Sequence, residues 1–183
     1  TNGGASWSDI AGATASTFTP PAGSAGKQVR VVVTATNAGG SGQASSPASA
    51  VILASPPVNT VAPSLSGTAQ DGKALTVAKG TWTGVATITY SYQWQLTTDG
   101  GATWNDIPGA TTTSYTPPAG SAGKQVRAIV TATNGDGTAP AASPASAVIL
   151  ANPPVNTVAP SLTGTAQDGV ALTAAKGTWT GMA

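Results

Sequence analysis

Ile88-Thr-Tyr-Ser-Tyr-Gln-Trp-Gln-Leu96 is the stretch that decides the fold class. Ile88, Tyr90, Tyr92, Trp94 and Leu96 alternate with Thr89, Ser91, Gln93 and Gln95. Successive side chains of a strand point to opposite faces, so this period of two gives one apolar face and one polar face. A tryptophan deep in such a strand is a side chain around which two packed sheets build a core.

Two further runs carry the same alternation. Leu75 and Val77 alternate with Thr76 and Ala78, and Val126, Ala128, Val130 and Ala132 alternate with Arg127, Ile129, Thr131 and Thr133. Leu75, Val77, Tyr92, Trp94, Val126 and Val130 are the expected core. Strands are also expected over 58–66, 74–79, 111–116 and about 143–150. The last belongs at an edge, because Pro144 has no N–H for a ladder. Gln70-Asp-Gly72, Gly80-Thr-Trp-Thr-Gly84, Pro108-Gly109 and Asn134-Gly-Asp-Gly137 punctuate the runs with turn chemistry. Seven or so short strands with a turn about every ten residues, and no segment of helical period, predict an all-β sandwich.

The same features recur 97 positions apart: Trp7 with Trp104, Lys27 with Lys124, Leu53 with Leu150, Pro56 with Pro153 and Trp82 with Trp179. Residues 1–54 match 98–151 at 38 positions, and residues 55–86 match 152–183 at 27 of 32. A fixed period of domain size predicts a tandem array. Residues 55–151 read as one complete unit, 1–54 as the C-terminal part of a preceding unit and 152–183 as the N-terminal part of the next. Ser55-Pro-Pro-Val58 and Asn152-Pro-Pro-Val155 are semi-rigid connectors. Ten-residue strands make each unit roughly 35 to 40 Å long. The two partial units together lack the equivalents of Thr87–Thr97. Either the sequence is a window on a longer chain, or successive chains complete one another by donated strands.

Charge is scarce, at 7% of residues and net +1, with no Glu and no His. Five Lys and two Arg spread over the whole length do not make a nucleic-acid footprint. No apolar run is long enough to span a bilayer. A chain opening in mid-unit would carry no leader at Thr1. Without Cys there is neither a disulfide nor a thiolate metal site.

Thr97, Asp99, Gly101, Thr103 and Trp104 have the spacing of an Asp-box hairpin, which this stretch resembles and which occurs in sialidases and many other β proteins. There the carboxylate accepts hydrogen bonds from turn amides and the Trp packs across the hairpin, a structural role. Asn2 stands at the equivalent of Asp99. Six Asp with no His leave no activated nucleophile or base, so no catalytic residue is assigned. The dispersed Asp residues do not make a calcium loop, and no metal or cofactor is expected. Trp82 and Trp104 are the candidates for stacking on a sugar, against the commoner role of plugging a sandwich end. The Thr-rich rows are too short for an ice-binding array.

Trp94 within Tyr-Gln-Trp-Gln, Gly123-Lys-Gln-Val-Arg with Val130-Thr-Ala-Thr-Asn134, and Pro57-Val-Asn-Thr with Gly80-Thr-Trp82 resemble bacterial immunoglobulin-like repeats. The resemblance implies tandem immunoglobulin-like sandwiches in a long extracellular adhesin, cell-wall protein or fibre. Such repeats often carry cysteines, which this chain lacks. The expected function is a non-catalytic structural repeat of a cell-surface filament, stalk or adhesin shaft. Its expected partners are neighbouring copies in head-to-tail assembly, with no nucleic acid and no membrane span. The alternatives are a carbohydrate- or surface-binding module and a viral or phage decoration domain.

Overall fold

The computed structural model describes residues 6–85 and 87–181, and they form an all-β chain with no helix among them. Its strands are β1 (Val32–Asn37), β2 (Gly40–Ser45), β3 (Val58–Val61), β4 (Ser64–Gly67), β5 (Leu75–Ala78), β6 (Thr81–Thr83), β7 (Thr89–Thr97), β8 (Asn105–Asp106), β9 (Ser114–Tyr115), β10 (Gln125–Asn134), β11 (Gly137–Ala142), β12 (Val155–Val158), β13 (Ser161–Thr163), β14 (Thr173–Ala175) and β15 (Thr178–Thr180). They pair into small sheets of order β11-β10-β7-β8, β4-β5-β9, β3-β6, β1-β2, β13-β14 and β12-β15. The character is sandwich-like, with apolar strand faces turned inward. The described residues fall into two compact units, one drawn from within residues 1–62, 80–91 and 131–141 and the other from within residues 63–79, 92–130 and 142–183.

In the second unit the core gathers on Trp94, which is fully buried. Its indole N–H donates to the Thr112 carbonyl at 2.9 Å, and its ring meets Tyr115 at 5.6 Å between centroids. Leu75 and Val77 of β5, Val126, Ala128 and Val130 of β10, and Ile149 are buried as well. Tyr92 is only half-buried. An amphipathic ring keeps its hydroxyl end where water or a polar partner can reach it. The opposite face of β10, Arg127, Ile129, Thr131 and Thr133, is half-buried rather than open.

In the first unit β1 and β2 pair from Val32↔Ser45 to Asn37↔Gly40. β3 pairs with β6 through Val58↔Thr83 and Asn59↔Trp82, then shifts register to Val61↔Thr81. The Asn59 amide spans that bulge, donating to the carbonyls of Val61 and Thr81.

Three sequence expectations change. The strand expected over 58–66 is broken at Ala62-Pro63 into β3 and β4, which join different sheets, because proline offers no N–H to continue a ladder. Gly80-Thr-Trp-Thr-Gly84 holds strand β6 rather than a turn, and Gly80 has φ +75°. A Cβ there would fall on the Val61 carbonyl oxygen. Of 111–116 only Ser114–Tyr115 is strand.

The segment expected as a strand over 143–150 is a serine-lined margin instead. Ser143 N donates to Ala128 O and Ser146 N to Val126 O. In return Ala128 N donates to Ser143 Oγ at 3.0 Å and Val126 N to Ser146 Oγ at 3.1 Å. The hydroxyls stand in for the carbonyls a regular partner strand would present, so β10 keeps its hydrogen bonds beside a proline. Residues 46–49 do the same for Val31 and Val29.

Candidate functional site

The Asp99 hairpin closes the turn that follows β7. Thr97, buried at its base, donates its hydroxyl to Asp99 Oδ1 at 2.6 Å and accepts the Gly101 amide at 3.0 Å. Asp99 Oδ1 also accepts the Thr103 amide at 2.9 Å, and Oδ2 accepts the Thr103 hydroxyl at 2.6 Å. The Trp104 indole N–H reaches the Gly101 carbonyl at 3.1 Å. All five residues of the spacing therefore meet in one hairpin. Hydrogen bonds from the Thr103 hydroxyl, then the Thr103 amide and the Thr97 hydroxyl, hold the Asp99 carboxyl well below the usual carboxylate range. An ionised, fully engaged carboxylate is a structural acceptor and a poor proton donor.

Trp104 is half-buried, and one face of its ring carries the Arg127 guanidinium at 4.4 Å from the centroid. Arg127 Nε donates to Gln95 Oε1 at 2.8 Å, and Gln95 Nε2 donates to Asp106 Oδ1 at 2.8 Å. A sugar stacking on that face would have to displace a cation already seated there. The sequence held a signal for this pairing, since Trp7 and Arg30 repeat the spacing and stack at 4.7 Å. Trp82, on β6, is half-buried and tilts by 60° against Tyr90 at 6.2 Å. Each candidate tryptophan thus sits in its own intramolecular cluster.

Asp71, read from the sequence as a turn residue, is buried at 1% exposure. Its Oδ2 accepts the Gly120 amide at 3.2 Å, while Oδ1 finds no donor among the described residues. Asp71 N donates to Leu150 O, and Asn152 Nδ2 donates to Asp71 O at 2.9 Å. Gln70 Nε2 donates to Asn152 Oδ1 at 2.7 Å. The Asp-Gly turn thereby fastens Asn152, just before Pro153-Pro154, a role that the local sequence did not disclose.

A cavity of about 280 Å³ lies between β4 and residues 144–147, lined by Ser, Gly, Ala, Pro and Leu only. Among the described residues no three His, Cys, Asp or Glu side chains are grouped to hold a metal ion, and no helix is long and apolar enough to cross a membrane. The side chains singled out here engage each other, a chemistry of turn closure, packing and the fastening of Asn152.

No curated protein and no solved structure matches the chain. A family model does match, over residues 61–153, which span β4 to β11 and reach Asn152 and Pro153. That match covers just over half of the chain, which therefore belongs to the family described as Domain of unknown function (DUF8696).

Proposed function

We propose that the chain is a run of tandem immunoglobulin-like sandwich repeats from an extracellular bacterial filament, stalk or adhesin shaft, working by reach and cohesion rather than catalysis. The observation that carries this reading is a bulge repeated at the 97-residue offset. β12 pairs with β15 through Val155↔Thr180 and Asn156↔Trp179, then shifts to Val158↔Thr178. That is the register of β3 with β6, and Asn156 spans it as Asn59 does. Equal sequence building equal local geometry along one chain is the pattern of a length-setting array. The Asp99 carboxylate and the stacked Trp104 serve their own hairpin, which suits a shaft.

The test is binding on a glycan array together with electron microscopy of the purified chain. Regular fibres with no glycan bound support the shaft. Glycan binding that is lost in Trp82→Ala or Trp104→Ala, with folding intact, would transfer the function to a recognition module.

A further inference from the structure

Asn134-Gly135, in the turn between β10 and β11, is a chemically reactive pair. Glycine has no Cβ to shield its backbone nitrogen, so in an unconstrained chain the Gly135 nitrogen can attack the Asn134 side-chain carbon Cγ. The N–H proton goes to solvent, a C–N bond forms and Nδ2 departs as ammonia. Water then opens the cyclic imide at either carbonyl and leaves aspartate or isoaspartate at position 134. The net change is hydrolysis of an amide, with no electron transferred.

The first compact unit holds this pair still. Asn134 is only 8% exposed. Its Nδ2 donates to Ser55 O at 2.9 Å and to Val85 O at 3.1 Å, and its Oδ1 accepts the Asp136 amide at 2.9 Å. Cyclisation requires the side chain to leave these bonds, and loss of ammonia removes the donor to both carbonyls. Gly135 is packed as tightly, since a Cβ there would come within 2.8 Å of Gly23 N and 2.9 Å of Ala22 C. Asp136 ties the far side of the turn, accepting the amides of Gly23 at 2.8 Å and Ser55 at 3.3 Å. The attack therefore waits on opening of the turn, and such a reaction tracks the population of the open form.

We infer that Asn134-Gly135 is a concealed modification site: the folded turn preserves the amide, opening exposes it to conversion, and conversion keeps the turn from closing again. A carboxylate at position 134 turns oxygen toward the Ser55 and Val85 carbonyls in place of an N–H donor, so acceptor faces acceptor where water is scarce. Isoaspartate also inserts a methylene into the backbone at the end of β10. Ser55, just before Pro56-Pro57, loses the donor to its carbonyl. The equivalent pair in the first copy is Asn37-Ala38, whose Cβ hinders the same attack. The site does not depend on the shaft reading, and in a shaft it records loss of this turn.

The test is peptide mapping by mass spectrometry of the purified chain held at mildly alkaline pH, folded or in urea, reading the mass gain of amide-to-acid conversion. Asn2-Gly3, the other Asn-Gly pair of the sequence, supplies the unhindered rate in urea. Asn134 is expected to match that rate in urea and to convert at least about tenfold more slowly in the folded chain. Equal rates in the two states overturn the proposal. Asp136→Ala, which releases Gly23 and Ser55, is expected to speed conversion in the folded chain severalfold and leave the urea rate unchanged. No acceleration overturns shielding by the turn. Asn134→Asp, one of the two conversion products, is expected to speed hydrogen exchange of the Ser55 and Gly23 amides by about tenfold. Unchanged exchange overturns the failure to close. Should either variant not fold, the ratio of folded to urea rates in the unmodified chain decides the outcome.

Discussion

Trp94 concentrates what a single side chain contributes here. It fills the core, and its N–H donates to Thr112 O, so removing the ring leaves both a cavity and an orphaned carbonyl. Trp94→Ala is expected to cost about 3 to 5 kcal/mol, read as a lower denaturant midpoint. Asp99 acts through charge. Its carboxyl is depressed in the folded chain, so the stability it adds is complete above its ordinary value near 4. It is lost as pH falls from there toward the depressed value. The melting temperature of the wild type is expected to drop more steeply below about pH 4 than that of Asp99→Asn, measured by circular dichroism across pH. The hairpin residues were legible in the sequence because a local turn is closed by residues a few positions apart. The burial of Asp71 was not, because Gly120 and Leu150, which enclose it, lie far along the chain.

At the scale of elements, β10 keeps its alternation because the margin of Ser143 and Ser146 feeds its amides. Ser143→Ala or Ser146→Ala leaves a buried N–H unpaired and is expected to cost roughly 1 to 3 kcal/mol each, checked by chemical denaturation. The prolines placed this segment at an edge. Only the fold shows that serine hydroxyls replace its carbonyls. The β10–β11 turn shows a similar division. Asn134-Gly-Asp-Gly137 reads as a hairpin, but the structure gives its side chains a second use. Asn134 Nδ2 donates to Ser55 O, and Asp136 accepts the amides of Gly23 and Ser55. A Cβ on Gly135 would come within 2.8 Å of Gly23 N. Gly135→Ala is expected to push the turn off residues 22–23 and speed exchange of the Gly23 amide, followed by hydrogen exchange.

For the molecule as a whole, charge is scarce and the valines of β1 are exposed, so the cohesion between copies proposed for the shaft would be an apolar process. Burial of hydrocarbon does not weaken with salt as ion pairs do. Sedimentation of the unmodified chain is expected to show association that persists or strengthens in 1 M sodium chloride. Loss of association in salt would show that charge drives it.

The sequence by itself determined that the chain is all-β, where its strand faces are apolar, and that its pattern recurs at a period of 97. Those properties follow from side-chain alternation and turn residues, which are local. Tertiary structure decided which of two near-identical strands lies in a core. Val33 and Val130 are the same residue in the same pattern, one 59% exposed and the other fully buried. Burial is set by the neighbours that distant chain brings over a side chain, and Val130 has those neighbours where Val33 lacks them.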